Sequence, residues 1–417
     1  MNEPEQIAII GGGPSGSTLA CLLAREGLNV GVFQPEKTAS IMVGESMVPA
    51  VIPILRRLGV EEQIKSIGQF KPGASFFIKG ESAPTFTFDD IPSDLPPYAY
   101  NVPRKEFDRA LLENAIRAGA EHFPFQAEIE TTDNHERVEL SSELPDHVFD
   151  TFDGQPDLIV DATGRARLLP NALDLPSEEV GHTRGAALFT HLDDMKEADD
   201  GNVHTEVFDG GWAWRIPLRD RVSIGIVTAN SYMDEVGDTN EERLTYFLNN
   251  VPRLRALSEN SERIEPIYRF DNYQLITNRI HGPNWTLLGD TAGFIDPVFS
   301  TGLYLAMNSA ETLASKLTSH QPMEQNLQEY EQKVLHELSI WQDVIKQYYN
   351  GRLLALIDTG EEVKNSFLGR LINTHLERHL GRIFTGAASN SWYSIKLMSF
   401  MCKYALRDRD PDAYQVF

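Results

Sequence analysis

The chain has 417 residues, 41% hydrophobic and 24% charged, enough for a large core and for two or more domains of an ordinary globular protein. Its formal net charge of −24 disfavours nucleic-acid binding, because phosphate contacts need clustered Lys and Arg. The two cysteines, Cys21 and Cys402, exclude a disulfide scaffold and a cysteine-based zinc site, and no apolar run reaches the ~18 residues of a membrane-spanning helix.

In chain order, Gln6–Ile10 reads as a short apolar strand, Pro14–Glu26 as a helix and Asn29–Phe33 as the next strand. This β-α-β unit has the size of one mononucleotide-binding half. The first apolar run leads straight into a glycine loop, so it reads as a strand rather than a signal peptide, and a cytoplasmic location is expected. Val51–Leu58 and Lys105–Ala118 have helical spacing of apolar residues. Residues 120–153 are polar and turn-rich with strand-like fragments, and Pro156–Val160 reads as a buried strand. Ala186–Leu192, Val207–Ile216 and Val222–Thr228 read as β, and residues 303–417 as mainly helical, with Asn326–Tyr349 a long amphipathic stretch. The acidic stretches 80–98 and 193–205 read as exposed connections. Residues 341–417 hold ten Lys and Arg against eight Asp and Glu, which suits either an ordinary helical cap or a docking face for an acidic partner.

Gly11-Gly12-Gly13-Pro14-Ser15-Gly16 fits GxGxxG, after a strand and at the start of a helix. Gly11 permits a tight turn, Gly13 lets backbone approach a pyrophosphate, and Gly16 permits close helix packing. Ser15 sits at the helix start, where free N–H groups face phosphate. An acid is expected at the end of the second strand to bond ribose hydroxyls. That position is Gln34, with Glu36 two residues on.

Two further strings narrow the nucleotide. Asp157-Leu-Ile-Val-Asp161-Ala-Thr-Gly164 is a strand ending in Asp-Ala-Thr-Gly. Asn284-Trp-Thr-Leu-Leu-Gly289-Asp290 ends in Gly-Asp, and Pro297 follows. Together they resemble the FAD-binding pattern of the aromatic-hydroxylase superfamily of flavoproteins. The resemblance implies FAD as cofactor, Asp290 on the ribityl chain, and Arg104 of Val-Pro-Arg-Lys-Glu-Phe-Asp as an FAD contact.

Three more strings resemble the flavin-dependent halogenases within that superfamily. Gly211-Trp212-Ala213-Trp214-Arg215-Ile216-Pro217 matches GWxWxIP, whose tryptophans line the cavity near the flavin in that family. Gly44-Glu45-Ser46-Met47-Val48-Pro49 resembles the stretch beside the flavin, and Lys71, 25 residues after Ser46, matches the family's catalytic Lys. An ammonium can hydrogen-bond and polarise hypohalous acid or form a haloamine, and so hold and aim the electrophile. Lys79 is the nearby competitor. Asp296-Pro297-Val298-Phe299-Ser300-Thr301-Gly302 resembles the halide loop, with halide at the amides of Thr301 and Gly302. Tryptophan halogenases carry Glu where this chain has Phe299, a departure that fits the enzymes acting on phenols or pyrroles.

The implied fold is α/β: a Rossmann-like FAD-binding domain (1–80, 100–185 and 275–310), a β-sheet substrate domain (81–99 and 186–274) and a helical C-terminal region (311–417). The implied reaction uses FADH2, oxygen and chloride or bromide, by way of a flavin hydroperoxide and hypohalous acid, to halogenate an electron-rich aromatic. The substrate would be a pyrrole tethered to an acyl or peptidyl carrier protein, or a phenol. With no second GxGxxG for NAD(P)H, FADH2 would come from a separate flavin reductase. No metal is expected. Phe384, Trp392, Tyr393, Phe400 and Tyr404 are candidates for the substrate cavity or for ordinary core. The alternatives are an aromatic monooxygenase of the same superfamily, a prenyl-chain reductase of the same fold, and a non-catalytic flavin-binding or carrier-docking protein.

Overall fold

A computed structural model of the chain describes residues 4–36, 42–132, 136–179, 185–193, 201–258, 261–271, 274–363, 379, 381–386, 392–404, 406 and 410–416. The opening β-α-β unit forms as its pattern dictates: Gln6–Ile10, the helix Pro14–Arg25 and Asn29–Phe33. Both strands are buried for nearly their whole length, which suits the uninterrupted apolar runs of a parallel sheet covered on both faces. Five parallel strands make that sheet, in the order Trp285–Leu287, Leu158–Asp161, Gln6–Ile10, Asn29–Phe33, Glu121–Phe123. The helices Pro14–Arg25, Arg104–Ala118 and Gly302–Leu317 pack together beside it. A mixed α/β fold with a Rossmann-like parallel sheet and a helical C-terminal region is therefore what the sequence builds.

A second sheet has seven strands, in the order Tyr268–Asp271, Gly185–Leu192, Val222–Ala229, Gly211–Pro217, Val203–Phe208, Gly73–Ile78, Glu81–Thr87. All neighbours are antiparallel except Val203–Phe208 with Gly73–Ile78. Two stretches expected to be exposed connections differ here. Within 80–98, Glu81–Thr87 is the edge strand of this sheet; within 193–205, Val203 opens a fully buried inner strand. Their acidic residues hid short β segments that pair at long range. The β stretch expected as Val207–Ile216 is two strands turning at Asp209-Gly210, where Gly210 has φ 96°, a value glycine adopts without strain.

Gln69–Lys71 pairs with Ala99–Asn101 in a separate two-stranded ribbon next to the seven-stranded sheet. The C-terminal part is helical: Met323–Tyr349, Arg352–Val363 and Trp392–Tyr404. No helix among the described residues is long and apolar enough to cross a membrane.

Candidate active site

A cavity of about 640 Å³ runs from the glycine loop of the parallel sheet to the inner face of the seven-stranded sheet. At one end stands the glycine loop. Gly11 adopts φ 108°, and a Cβ there would collide with the carbonyl of Ala162; one on Gly16 would collide with the carbonyl of Gly11. A Cβ on Gly13 would meet nothing within 4 Å, because Gly13 opens onto the cavity. The first glycine therefore makes the turn, the last lets the helix close on the strand, and the middle one leaves room for a ligand. Ser15 lines the same wall at the helix N-terminus.

Gln34 also lines the cavity, with its amide already committed. Its Oε1 accepts from Gly12 N–H at 2.7 Å and its Nε2 donates to the Pro35 carbonyl at 2.7 Å, so it ties the loop to the second strand. Glu36 is exposed and off the cavity wall.

Arg104, on the same wall at the start of its helix, donates to Asp108 Oδ1 (3.0 Å), one turn on, and to the Val43 carbonyl (2.6 Å). The second bond fastens the Gly44-Glu45-Ser46 strip, and a Cβ on Gly44 would lie 2.8 Å from the guanidinium. Asp290 lies opposite, in the 3₁₀ turn Gly289–Thr291. Burial pushes its carboxyl up to about 6, against the pull of Arg104 and Arg165. Asp161 serves the backbone instead. It accepts from Thr163 N–H (2.9 Å), Thr163 Oγ1 (2.7 Å) and Leu169 N–H (2.7 Å), and so shapes the turn that carries Gly164 and Arg165 to the wall.

At the far end, Trp212 and Trp214 project from the same face of Gly211–Pro217 with ring centroids 5.8 Å apart, and both line the cavity. Trp214 Nε1 donates to Ser223 Oγ at 3.2 Å. Trp212 Nε1 donates to Tyr349 Oη at 3.1 Å, and Tyr349 Oη donates to Asp296 Oδ2 at 2.8 Å. Asp296 also accepts from Gln274 Nε2 (2.7 Å) and from Val298 N–H (2.9 Å); burial nonetheless pushes its carboxyl up to about 6. This chain joins the tryptophan strand, the Asp296–Gly302 loop and the C-terminal helices. Sequence reasoning missed Tyr349, Asp108, Arg165 and Glu45 as site residues. Asp108 left a signal in its i, i+4 spacing from Arg104, and Glu45 in its place within the Gly44–Pro49 string.

In the loop, Pro297, Ser300 and Gly302 line the cavity and Thr301 is buried behind them. Ser300 is left-handed (φ 57°) and Thr301 has φ −88°, an alternation that turns successive N–H groups toward one side. The helix Gly302–Leu317 starts there with its N-terminus at the cavity. Phe299 is not on the cavity wall; its ring packs on Tyr348 (5.5 Å) and Phe384 (5.8 Å). Phe384 is buried and stacks on Phe86 at 4.2 Å, whereas Phe400 and Tyr404 are 59% and 64% exposed. The side chains of Trp392 and Tyr393 lie outside the described residues.

Lys71 is buried just beyond this wall. Its Nζ donates to Ser46 Oγ and to the Met47 carbonyl, each at 2.8 Å, and Ser46 is itself a wall residue. Burial pushes the amine down to about 7. Lys79 is exposed and paired with Asp209 at 2.6 Å.

The residues on the wall suit FAD: a glycine-opened helix N-terminus for a pyrophosphate, a carboxylate and a guanidinium, a second helix N-terminus, and two indoles.

A model of the tryptophan halogenase family matches residues 6–91 and 87–352. Among characterised proteins, the chain is 26% identical over 381 residues to the 1H-pyrrole-2-carbonyl-peptidyl-carrier-protein chlorinase of Pseudomonas fluorescens, covering 84% of each. It is 31% identical over 352 residues to a flavin-dependent halogenase of Armillaria mellea, covering 75% of this chain and 65% of that one. It is 31% identical over 336 residues to the tryptophan 2-halogenase of Chondromyces crocatus, covering 75% and 61%. The chain thus spans slightly less than two-thirds of the length of the last two. Among solved structures, a flavoprotein/dehydrogenase from Cytophaga hutchinsonii superposes with a TM-score of 0.81 at 24% identity (96% and 98% covered). A flavin-dependent brominase superposes with 0.80 at 20% identity (97% and 100% covered). These two establish shared architecture.

Proposed function

The chain belongs to the tryptophan halogenase family and is a flavin-dependent halogenase, and from that premise we propose that it halogenates an electron-rich aromatic ring with Lys71 as the residue that aims the electrophile. The observation that carries this reading is the placement of Lys71: a buried amine held at 2.8 Å on Ser46, a residue of the FAD-suited cavity wall.

When bound, reduced FAD with oxygen supplies the oxidation of halide to hypohalous acid. The remaining work falls to the chain. Gly13 and Ser15 at the helix N-terminus would hold the pyrophosphate, and Arg104 and Asp290 the middle of the cofactor. The amides of Thr301 and Gly302 would hold bromide or chloride beside Pro297. Trp212 and Trp214 wall off the far end and keep the arene from the cofactor. Lys71 commits two of its three ammonium donors to Ser46 and Met47, which leaves a third for hypohalous acid. With its amine brought to about 7, the protonated and neutral forms are both accessible near neutrality. The ring attacks the bound hypohalous acid, halogen replaces hydrogen, and water leaves.

The substrate we propose is a pyrrole on a carrier protein or a phenol. The Pseudomonas relative acts on a carrier-bound pyrrole. A separate flavin reductase supplies the reduced cofactor. The experiment that tests the role of Lys71 compares wild type and Lys71→Ala, with FAD, reductase, NADH and bromide, scoring hypobromous acid with a β-diketone trap and halogenation of the aromatic separately. Trapping retained with aromatic halogenation lost supports the role; equal halogenation of the aromatic removes it.

A further inference from the structure

One buried titratable pair, Glu45 and His191, stands at the cavity. Glu45 lines the wall between Gly44 and Ser46, and its carbonyl accepts from Val102 N–H at 2.7 Å, which fixes its backbone. Its Oε1 lies 2.9 Å from His191 Nε2. Glu45 and His191 are 3% and 2% exposed. His191 shares a strand face with Ala187 and Phe189, both of which line the cavity. Its Nδ1 is buried without a hydrogen-bond partner among the described residues. A buried pair of this kind adds little net stability, so stability alone is a weak reason for it to sit at a cofactor wall.

The reaction gives it a use. Reduced flavin, oxygen, halide and one proton become oxidised flavin, hypohalous acid and water. Oxygen takes two electrons from the flavin and two from the halide. Three hydrogens are needed for the water and the hypohalous acid, and the reduced flavin supplies two. The later substitution of the ring releases its hydrogen into water and leaves no proton over. One proton must therefore enter the flavin cavity in each turnover.

Among the described wall residues, three carboxylates are candidates to pass it. Asp108 receives the guanidinium of Arg104, and Asp290 faces Arg104 and Arg165, cations that do not release protons. Glu45 also feels Arg104, yet its hydrogen-bond partner is an imidazole, a group that exchanges protons at physiological pH. The other charged group near it is Lys71, held by the adjoining Ser46.

We propose that the Glu45–His191 pair supplies the proton consumed by halide oxidation in the flavin cavity, Glu45 handing it over and His191 positioning and reloading Glu45. The proposal rests on the halogenase reading of the cavity.

The test uses the full chain as wild type, Glu45→Gln, Glu45→Asp and His191→Gln. Gln at either position keeps a hydrogen bond and removes proton exchange. FAD affinity, followed by flavin fluorescence, is expected to stay within about fivefold. Imidazole ¹⁵N resonances of the FAD-free protein are expected to show the His191 signal moving in Glu45→Gln. With reductase, NADH and bromide, both Gln variants are expected to lose tenfold or more of the trapped hypobromous acid per oxygen consumed. Hydrogen peroxide should rise to match. Added imidazole should restore His191→Gln in proportion to its concentration, and Glu45→Asp should recover part of the yield. Wild-type partition between peroxide and hypobromous acid in both Gln variants would overturn the proposal, as would a loss of FAD binding that tracks the loss of yield. A wild-type protein that oxidises neither bromide nor chloride would overturn the halogenase reading itself, a distinct outcome.

Discussion

Trp214 and Gly225 face each other across neighbouring strands, and the indole fills the space that a side chain at position 225 would take. A Cβ on Gly225 would fall far inside contact distance of the six-membered ring. Gly225→Ala must therefore push Trp214 toward the cavity or move a strand. Overpacking of this kind costs roughly 1–3 kcal/mol. The variant is predicted to unfold a few degrees below wild type, with an altered near-UV circular dichroism spectrum. An unchanged melting temperature and spectrum would mean that the ring does not stand on Gly225.

The glycine loop separates fold from binding within one motif. Gly13→Ala points a methyl into open cavity, whereas Gly16→Ala drives one into the Gly11 carbonyl. Gly13→Ala is predicted to melt with wild type and to bind FAD at least tenfold more weakly, a loss of about 1.4 kcal/mol. Gly16→Ala is predicted to express poorly or to melt well below wild type. Thermal melts and flavin titrations of the two variants check the contrast.

How much was legible in the sequence follows from the range of each signal. The opening β-α-β unit and the Gly-Asp turn announce themselves locally, through period and glycine placement, and form within a residue or two of their expected bounds, whereas the expected stretch Val207–Ile216 splits into two strands at Asp209-Gly210. The strand Glu81–Thr87 and the start of Val203–Phe208 did not, because an acidic, turn-rich stretch becomes β only through partners far along the chain. The same holds in the site. Residues in family strings can be named from the sequence, but Tyr349, which reaches Asp296 across 53 positions, and His191, which reaches Glu45 across 146, have no local mark. Gln34 was expected at a ribose; its amide instead spans the glycine loop, a choice set by the Gly12 N–H that needs an acceptor.

Tyr349 is the hinge pin of the chain from Trp212 to Asp296, since its hydroxyl accepts from one and donates to the other. Tyr349→Phe leaves the buried indole N–H of Trp212 without its partner, at roughly 1–3 kcal/mol, and leaves Asp296 Oδ2 with Gln274 as its one remaining side-chain donor. The carboxyl of Asp296 should rise further, having lost a donor. Because Asp296 anchors the loop whose amides are proposed for halide, the variant is predicted to raise KM for bromide more than it lowers kcat, and to red-shift tryptophan emission. Steady-state kinetics over a bromide series, with a thermal melt alongside, decide it.

Lys71 sets a pH dependence whose sign is fixed by burial. The folded amine is pushed down to about 7 from its ordinary 10.5. Between these values the unfolded chain binds a proton that the folded chain does not. Stability therefore rises with pH across that window, and the cost of burying the charge is fully present below about pH 7. Lys71→Met removes the group. The melting temperature of wild type relative to Lys71→Met is predicted to climb steadily from about pH 6.5 to about pH 9.5. A difference that is flat or falls would show an amine with no such depression.

Halide-dependent chemistry aimed by Lys71 is read out by the mass spectrum of the product formed from pyrrole, phenol and pyrrolyl-carrier substrates with FAD, a flavin reductase, NADH, oxygen and bromide. The expected result is a bromine isotope pair on one of these products, absent when bromide is withheld and lost in a Lys71→Ala variant that still binds FAD. A product heavier by one oxygen atom, formed equally with and without bromide and indifferent to Lys71→Ala, would contradict it.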